Sequence, residues 1–201
     1  MQRVLLKNES GFTLVELILT ITIIGMFSTV AIVNFQSNKN EDTLRVAGLR
    51  AVDAFRGAQS YALAGVPELA DPSISSALQF GVYVHQISGG VGEAIIFADT
   101  YPVGGNGLFD SRVGGDTVIR TVSFDADNRK TVVLSDISVG GVSGTNPVSI
   151  VYKKPDATAF INGENGSSDP KDVILTFKHR QTNHTKTVTI NRVTGRVDSQ
   201  F

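Results

Sequence analysis

GFTLVELILTITIIG, Gly11 to Gly25, opens an apolar run that continues from Phe12 to Val33 and contains one charged residue, Glu16. As a helix, these 22 residues would rise roughly 33 Å, enough to cross a hydrocarbon core of about 30 Å. The preceding stretch, MQRVLLKNESG, sets Arg3, Lys7 and the α-amino group against Glu9. Positive charge before the span keeps that end cytoplasmic. A secretory signal peptide would have a shorter apolar core with its cleavage site after it, whereas the plausible processing site here precedes the run. The helix is therefore expected to stay on the mature chain.

An uncleaved signal anchor would account for the hydrophobicity and orientation but not for Glu16. An ionised carboxylate within a bilayer costs at least a few kcal/mol and calls for a partner. If the chain is cut between Gly11 and Phe12, the new α-amino group lies four residues before Glu16, within about a helical turn. In an assembling filament the same carboxylate could accept a neighbouring subunit's ammonium, which would lower the cost of burial and set axial register.

The segment Gly11 to Gly25 closely resembles the N-terminus of type IV prepilins and type II secretion pseudopilins. The shared features are a leader ending in Gly11, the aromatic Phe12, Thr13, Glu16 and the uninterrupted aliphatic helix. The resemblance implies that prepilin peptidase cuts Gly11–Phe12 on the cytoplasmic side and that the Phe12 amine is N-methylated. It further implies assembly through Thr13 and Glu16 with other pilins or pseudopilins of the same filament, at an inner-membrane assembly platform. Before assembly, lipid would surround a single-pass helix with the head outside the cytoplasm; afterwards the subunit would belong to a periplasmic pseudopilus or a cell-surface pilus. Many major type IV pilins carry a helix-disrupting Pro where this chain has Val33, so a more continuous helix is expected.

Residues 43–64 place Leu44, Gly48, Ala51, Phe55, Ala58 and Ala62 at alternating steps of three and four, which is one face of a helix. Arg45, Arg50, Asp53 and Arg56 fall mostly off that stripe and read as a solvated face. Gly65 and Pro67 mark the helix end. Beyond it, β-rich runs at 78–87, 94–98, 118–124, 131–134, 148–153, 173–179 and 186–191 are separated mostly by Gly or Asn/Asp turns, with a hairpin around 181–184 and a turn at 193–196 before a terminal strand. The fold class expected is α+β and pilin-like: a long N-terminal helix, its first half transmembrane, packed on a C-terminal antiparallel β-sheet head. The divisions are a leader at 1–11, a transmembrane or filament-core helix at 12–34, an amphipathic continuation at 35–65 and a β-rich head at 66–201. LRAVDAFRGAQSYALAG, FGVYV with IIFADTYPVGGNGLFDSRVGGDTVIR, and TVTINRVTGRVDSQF resemble the H-type minor pseudopilins and related minor type IV pilins; 135–172 carries no such likeness.

The chain has 18 Lys and Arg against 19 Asp and Glu, so its overall charge selects neither nucleic acid nor an acid-seeking surface. With no cysteine, disulfides, thiolate metal sites and thiol nucleophiles are excluded. No nucleophile elbow, phosphate loop or zinc-protease pattern occurs, and no enzyme is expected. Asp99, Asn106, Asp110 and Asp116 are oxygen donors in a glycine-rich loop of the kind Ca²⁺ accepts. Some major pseudopilins bind calcium in the head, but ordinary turns use the same residues, and no cofactor is expected. The three histidines, His85, His179 and His184, read as strand and turn residues. Sequons stand at Asn165 and Asn183, of consequence only in a host that glycosylates them. From Lys171 onward six Lys and Arg face two Asp; Arg180, Lys186, Arg192 and Arg196 are the candidates for DNA contact, the alternative role beside adhesion. Minor pilins of DNA uptake can carry a Gly-Arg-x-Arg turn near this end; here Asp198 replaces the second Arg of that pattern.

Overall fold

The computed structural model describes residues 12–64, 77–112, 114–125, 130–162, 172–191 and 196–200. The chain divides into two compact units, Met1–Lys39 and Asn40–Phe201. Helix α1, Leu14–Ala64, contributes its first part to one unit and the remainder to the other. Residue 33 lies within helix, as expected where proline is absent. The predicted stop at Gly65 and Pro67 lies outside the described residues.

In the first unit the stretch Leu14–Ile32 is predominantly apolar. None of the stretch Leu14–Ile32 is buried within the protein. Its hydroxyls close back onto the helix: Thr20 Oγ1 donates to Leu17 O at 2.9 Å, Thr22 to Ile18 at 2.8 Å, and Ser28 to Ile24 at 2.7 Å. Such self-satisfaction removes the polar cost of lying in lipid or against other helices.

In the second unit, Leu44, Ala47, Ala51, Ala54, Phe55, Ala58 and Ala62 of α1 are buried. The stripe is broader than the single row read from spacing, because Ala47, Val52 and Ala54 join it. Small residues here let backbone and sheet approach closely, and burial of Phe55 contributes about 1.5–3 kcal/mol. The strands are β1 Gln79–Gln86, β2 Gly92–Asp99, β3 Thr117–Ser123, β4 Val132–Val139, β5 Val148–Lys153, β6 Thr158–Ile161, β7 Val173–His179, β8 Thr185–Ile190 and β9 Val197–Gln200. They form two sheets, of order β3-β2-β1-β5-β6 and β4-β7-β8-β9, in which every pairing is antiparallel. Phe80, Val82 and Val84 of β1 share one core with α1 and with Leu134, Leu175, Phe177 and Val188 of the second sheet.

The antiparallel head expected from the sequence is divided into two sheets. Two differences from the sequence reading have local causes. β4 extends to Val139 because a register shift between Leu134 and Asp136 moves its buried positions from Val132 and Leu134 to Ile137, which breaks the alternation that defines a strand in sequence. β6 is new: only four residues long, it follows a turn in which Ala157 adopts φ 52°.

The β1–β2 hairpin joins the two sheets. Leu134 N–H donates to Gly90 O at 3.0 Å, and Phe124 N–H to Gly92 O at 3.0 Å. A Cβ on Gly92 would lie 2.6 Å from Phe124 and 2.7 Å from Leu134, so only glycine admits this approach. Phe124 in turn meets Phe177 edge-to-face, centroids 5.2 Å apart.

Candidate functional site

The first turn of α1 is built by a local exchange of hydrogen bonds. Thr13 N–H and Thr13 Oγ1 both donate to Glu16 Oε2, at 3.1 and 3.0 Å, and Glu16 N–H donates back to Thr13 Oγ1 at 3.3 Å. This is a capping box, Thr-x-x-Glu, in which otherwise orphaned amides are satisfied reciprocally and the carboxylate sits at the positive end of the helix. The pattern is legible in the sequence as Thr13-Leu-Val-Glu16, where Glu16 reads as a charge in need of a partner and Thr13 as a second assembly residue. Phe12, immediately before the box, is 84% exposed, as are Leu14 and Val15 at 74% each. Gly11, the residue before the expected cut, lies outside the described residues.

The head's acidic loop is organised around two carboxylates. Asp99, 1% exposed at the end of β2, accepts Asn106 N–H at 3.1 Å and Gly107 N–H at 2.6 Å. Asp116 accepts Thr100 and Tyr101 N–H at 2.9 and 3.0 Å on one oxygen and Asp110 N–H at 2.8 Å on the other. Asp110 is paired with Arg112, whose Nε is 2.9 Å from both carboxylate oxygens. Burial pushes Asp99 up to about 6 against those amide hydrogen bonds, with the Asp116 charge adding to the rise. Burial likewise raises Asp116. Arg112's hydrogen bonds hold Asp110 below the usual carboxylate range. All four residues proposed for calcium thus share one loop, but the oxygens a cation would need are turned to N–H donors, and Asn106 Oδ1 accepts Leu108 N–H at 2.8 Å. The donor set fits loop closure better than a hard cation.

That closure seats the loop on the outer face of the five-stranded sheet. Phe109 lies 4.9 Å from Tyr83 and 5.1 Å from Phe97, centroid to centroid, and its N–H donates to Ser149 Oγ at 3.3 Å. Gly105 and Gly81 permit the fit: a Cβ at Gly105 would lie 2.7 Å from the Asp99 carboxyl carbon, and one at Gly81 2.6 Å from Phe97.

Three of the four basic residues proposed for DNA fall among the described residues. Arg180 donates to Gly89 O, Arg196 Nε to Asp198 Oδ1 at 2.8 Å, and Lys186 stands half-buried on β8. Arg192 lies outside the described residues, as do Asn165 and Lys171. Of the charges read as a solvated helix face, Arg50 donates to Ser123 O at 3.0 Å and Asp53 pairs with Arg120 at 2.8 Å, tying α1 to the edge strand β3. His179 is buried, which lowers its pKa, and the neighbouring His184 lowers it further. His184 lies 4.0 Å from Glu41, a carboxylate that its sequence neighbours did not reveal.

Residues 6–32 match the prokaryotic N-terminal methylation motif. The chain thus carries that motif at an apolar N-terminal helix followed by antiparallel sheets, a pilin-like α+β arrangement consistent with a type IV pilin or pseudopilin. The match covers the region of the capping box and leaves the head outside it. No curated relative and no solved structure matches the chain significantly.

Proposed function

We propose that this chain is a structural subunit, of the minor kind, of a type II secretion pseudopilus or a type IV pilus. Prepilin peptidase cuts between Gly11 and Phe12 and the Phe12 amine is methylated; the subunit waits in the inner membrane with its head outside the cytoplasm, then enters the filament through its helix. The observation that carries this reading is the Thr13–Glu16 box at the start of the apolar stretch Leu14–Ile32, none of which is buried. Thr13 satisfies Glu16 while the helix is alone, which lowers the cost of holding a carboxylate at membrane depth. An ammonium at Phe12, from the same chain or a neighbour, adds charge neutralisation on assembly. The work of the chain is assembly rather than catalysis. The H-like stretches of the head support the minor assignment.

Mass spectrometry of the mature N-terminus tests the reading. N-methylated Phe12 is expected, and Gly11→Ala should abolish it. Recovery of intact Met1, or of a terminus beyond Val33, would overturn it. A gel shift that appears at low salt and weakens on Arg196 substitution would instead favour DNA capture.

A further inference from the structure

The loop that covers the outer sheet face contains an Asn-Gly step, Asn106–Gly107. Because glycine carries no Cβ, the nitrogen following Asn106 is unhindered. Once a solvent base removes its proton, Gly107 N can attack Asn106 Cγ. A C–N bond forms, ammonia leaves, and a succinimide results. Water then opens the ring to aspartate or isoaspartate. Overall, one water enters and one ammonia departs, with no change of oxidation state.

The folded loop blocks this reaction at both reacting atoms. Gly107 is buried, and its N–H points at Asp99 Oδ2 at 2.6 Å; a hydrogen bond to a carboxylate opposes loss of that proton. The Asn106 side chain is turned forward, its Oδ1 accepting Leu108 N–H at 2.8 Å. Asn106 N–H is held by the second Asp99 oxygen at 3.1 Å. Asn106 itself is exposed, so solvent base and water reach it once the loop opens.

We propose that Asn106–Gly107 is a latent deamidation site that Asp99 keeps closed in the folded head. Opening of the loop is then recorded covalently. The product places a new carboxylate beside the buried Asp99, and the isoaspartate form adds a methylene to the backbone between the two amides that Asp99 caps. The isoaspartate form cannot restore the original spacing of those amides, the aspartate form restores it only against the added charge, and the loss of ammonia makes the mark one-way. This inference is independent of the filament role.

The test is full-length protein in detergent, incubated in mildly alkaline buffer, with the mass gain and isoaspartate content at residue 106 followed by peptide fragmentation. In the folded protein the rate is expected to be at least about tenfold below that of the same protein in urea, the suppression a protected segment gives. Asp99→Asn, with circular dichroism unchanged, should raise the folded-state rate about tenfold. A folded wild type reacting at the urea rate overturns the proposal, as does a folded Asp99→Asn reacting no faster than wild type. Should Asp99→Asn not fold, hydrogen exchange of the wild-type Gly107 amide decides: protection supports the lock, and exchange at the unfolded rate overturns it.

Discussion

Thr13 and Glu16 close the first turn of α1 reciprocally: Thr13 gives two donors to one carboxylate oxygen, and Glu16 returns its own N–H to the Thr13 hydroxyl. The one carboxylate within the apolar stretch therefore has a partner in its own chain. The two residues are expected to act as one unit in assembly.

Glu16→Ala should leave cleavage and methylation intact but reduce recovery in sheared filaments by about a hundredfold or more, since losing one partner of a buried ion pair costs about 3–5 kcal/mol. Thr13→Val should weaken incorporation less, by removing a cap of roughly 1 kcal/mol, and Thr13→Ser should restore it. Wild-type filament levels of Glu16→Ala would sink the pairing.

Gly92→Ala should destabilise the head by about 1–3 kcal/mol through overpacking, because its Cβ would press on Phe124 and Leu134 where the two sheets meet. Urea unfolding of the full chain in detergent measures this. An unchanged midpoint would mean the hairpin moves away freely.

Tyr152→Phe should be neutral or stabilising by about 1 kcal/mol. The ring is fully buried and its hydroxyl has no hydrogen-bond partner among the described residues. A loss of stability on removing the oxygen would reveal an acceptor.

Asp99 predicts an inverted pH response. Its folded pKa, about 6, exceeds its ordinary 3.8, so the folded state binds more protons than the unfolded state between those values. Its contribution to stability therefore grows as pH falls from 7 towards 4. Asp116 acts in the same direction. His179, whose pKa is lowered, acts oppositely as pH falls through its unfolded 6.5. Subtracting the Asp99→Asn profile isolates the Asp99 contribution; a flat difference across that window would contradict it.

Calcium should leave the melting temperature unchanged, since Asp99 and Asp116 already hold five backbone amides between them. A rise with calcium concentration would require the loop to exchange those amides for the ion.

The sequence by itself determined the anchor, the single charge within it, the helix stripe from Leu44 to Ala62 and most strands, because each depends on periodicity within one segment. It also spelled the capping box, whose partners are three residues apart. Tertiary structure alone decided what depends on distant partners: the division into two sheets, the continuation of β4 past its bulge and the pairing of short β6 with β5. The acidic loop shows the difference most directly. Asp99, Asn106, Asp110 and Asp116 read as potential cation ligands because composition exposes their oxygens, but only the fold shows where those oxygens point. Burial makes an unsatisfied amide costly, so Asp99 and Asp116 are used to close the loop over Tyr83 and Phe97.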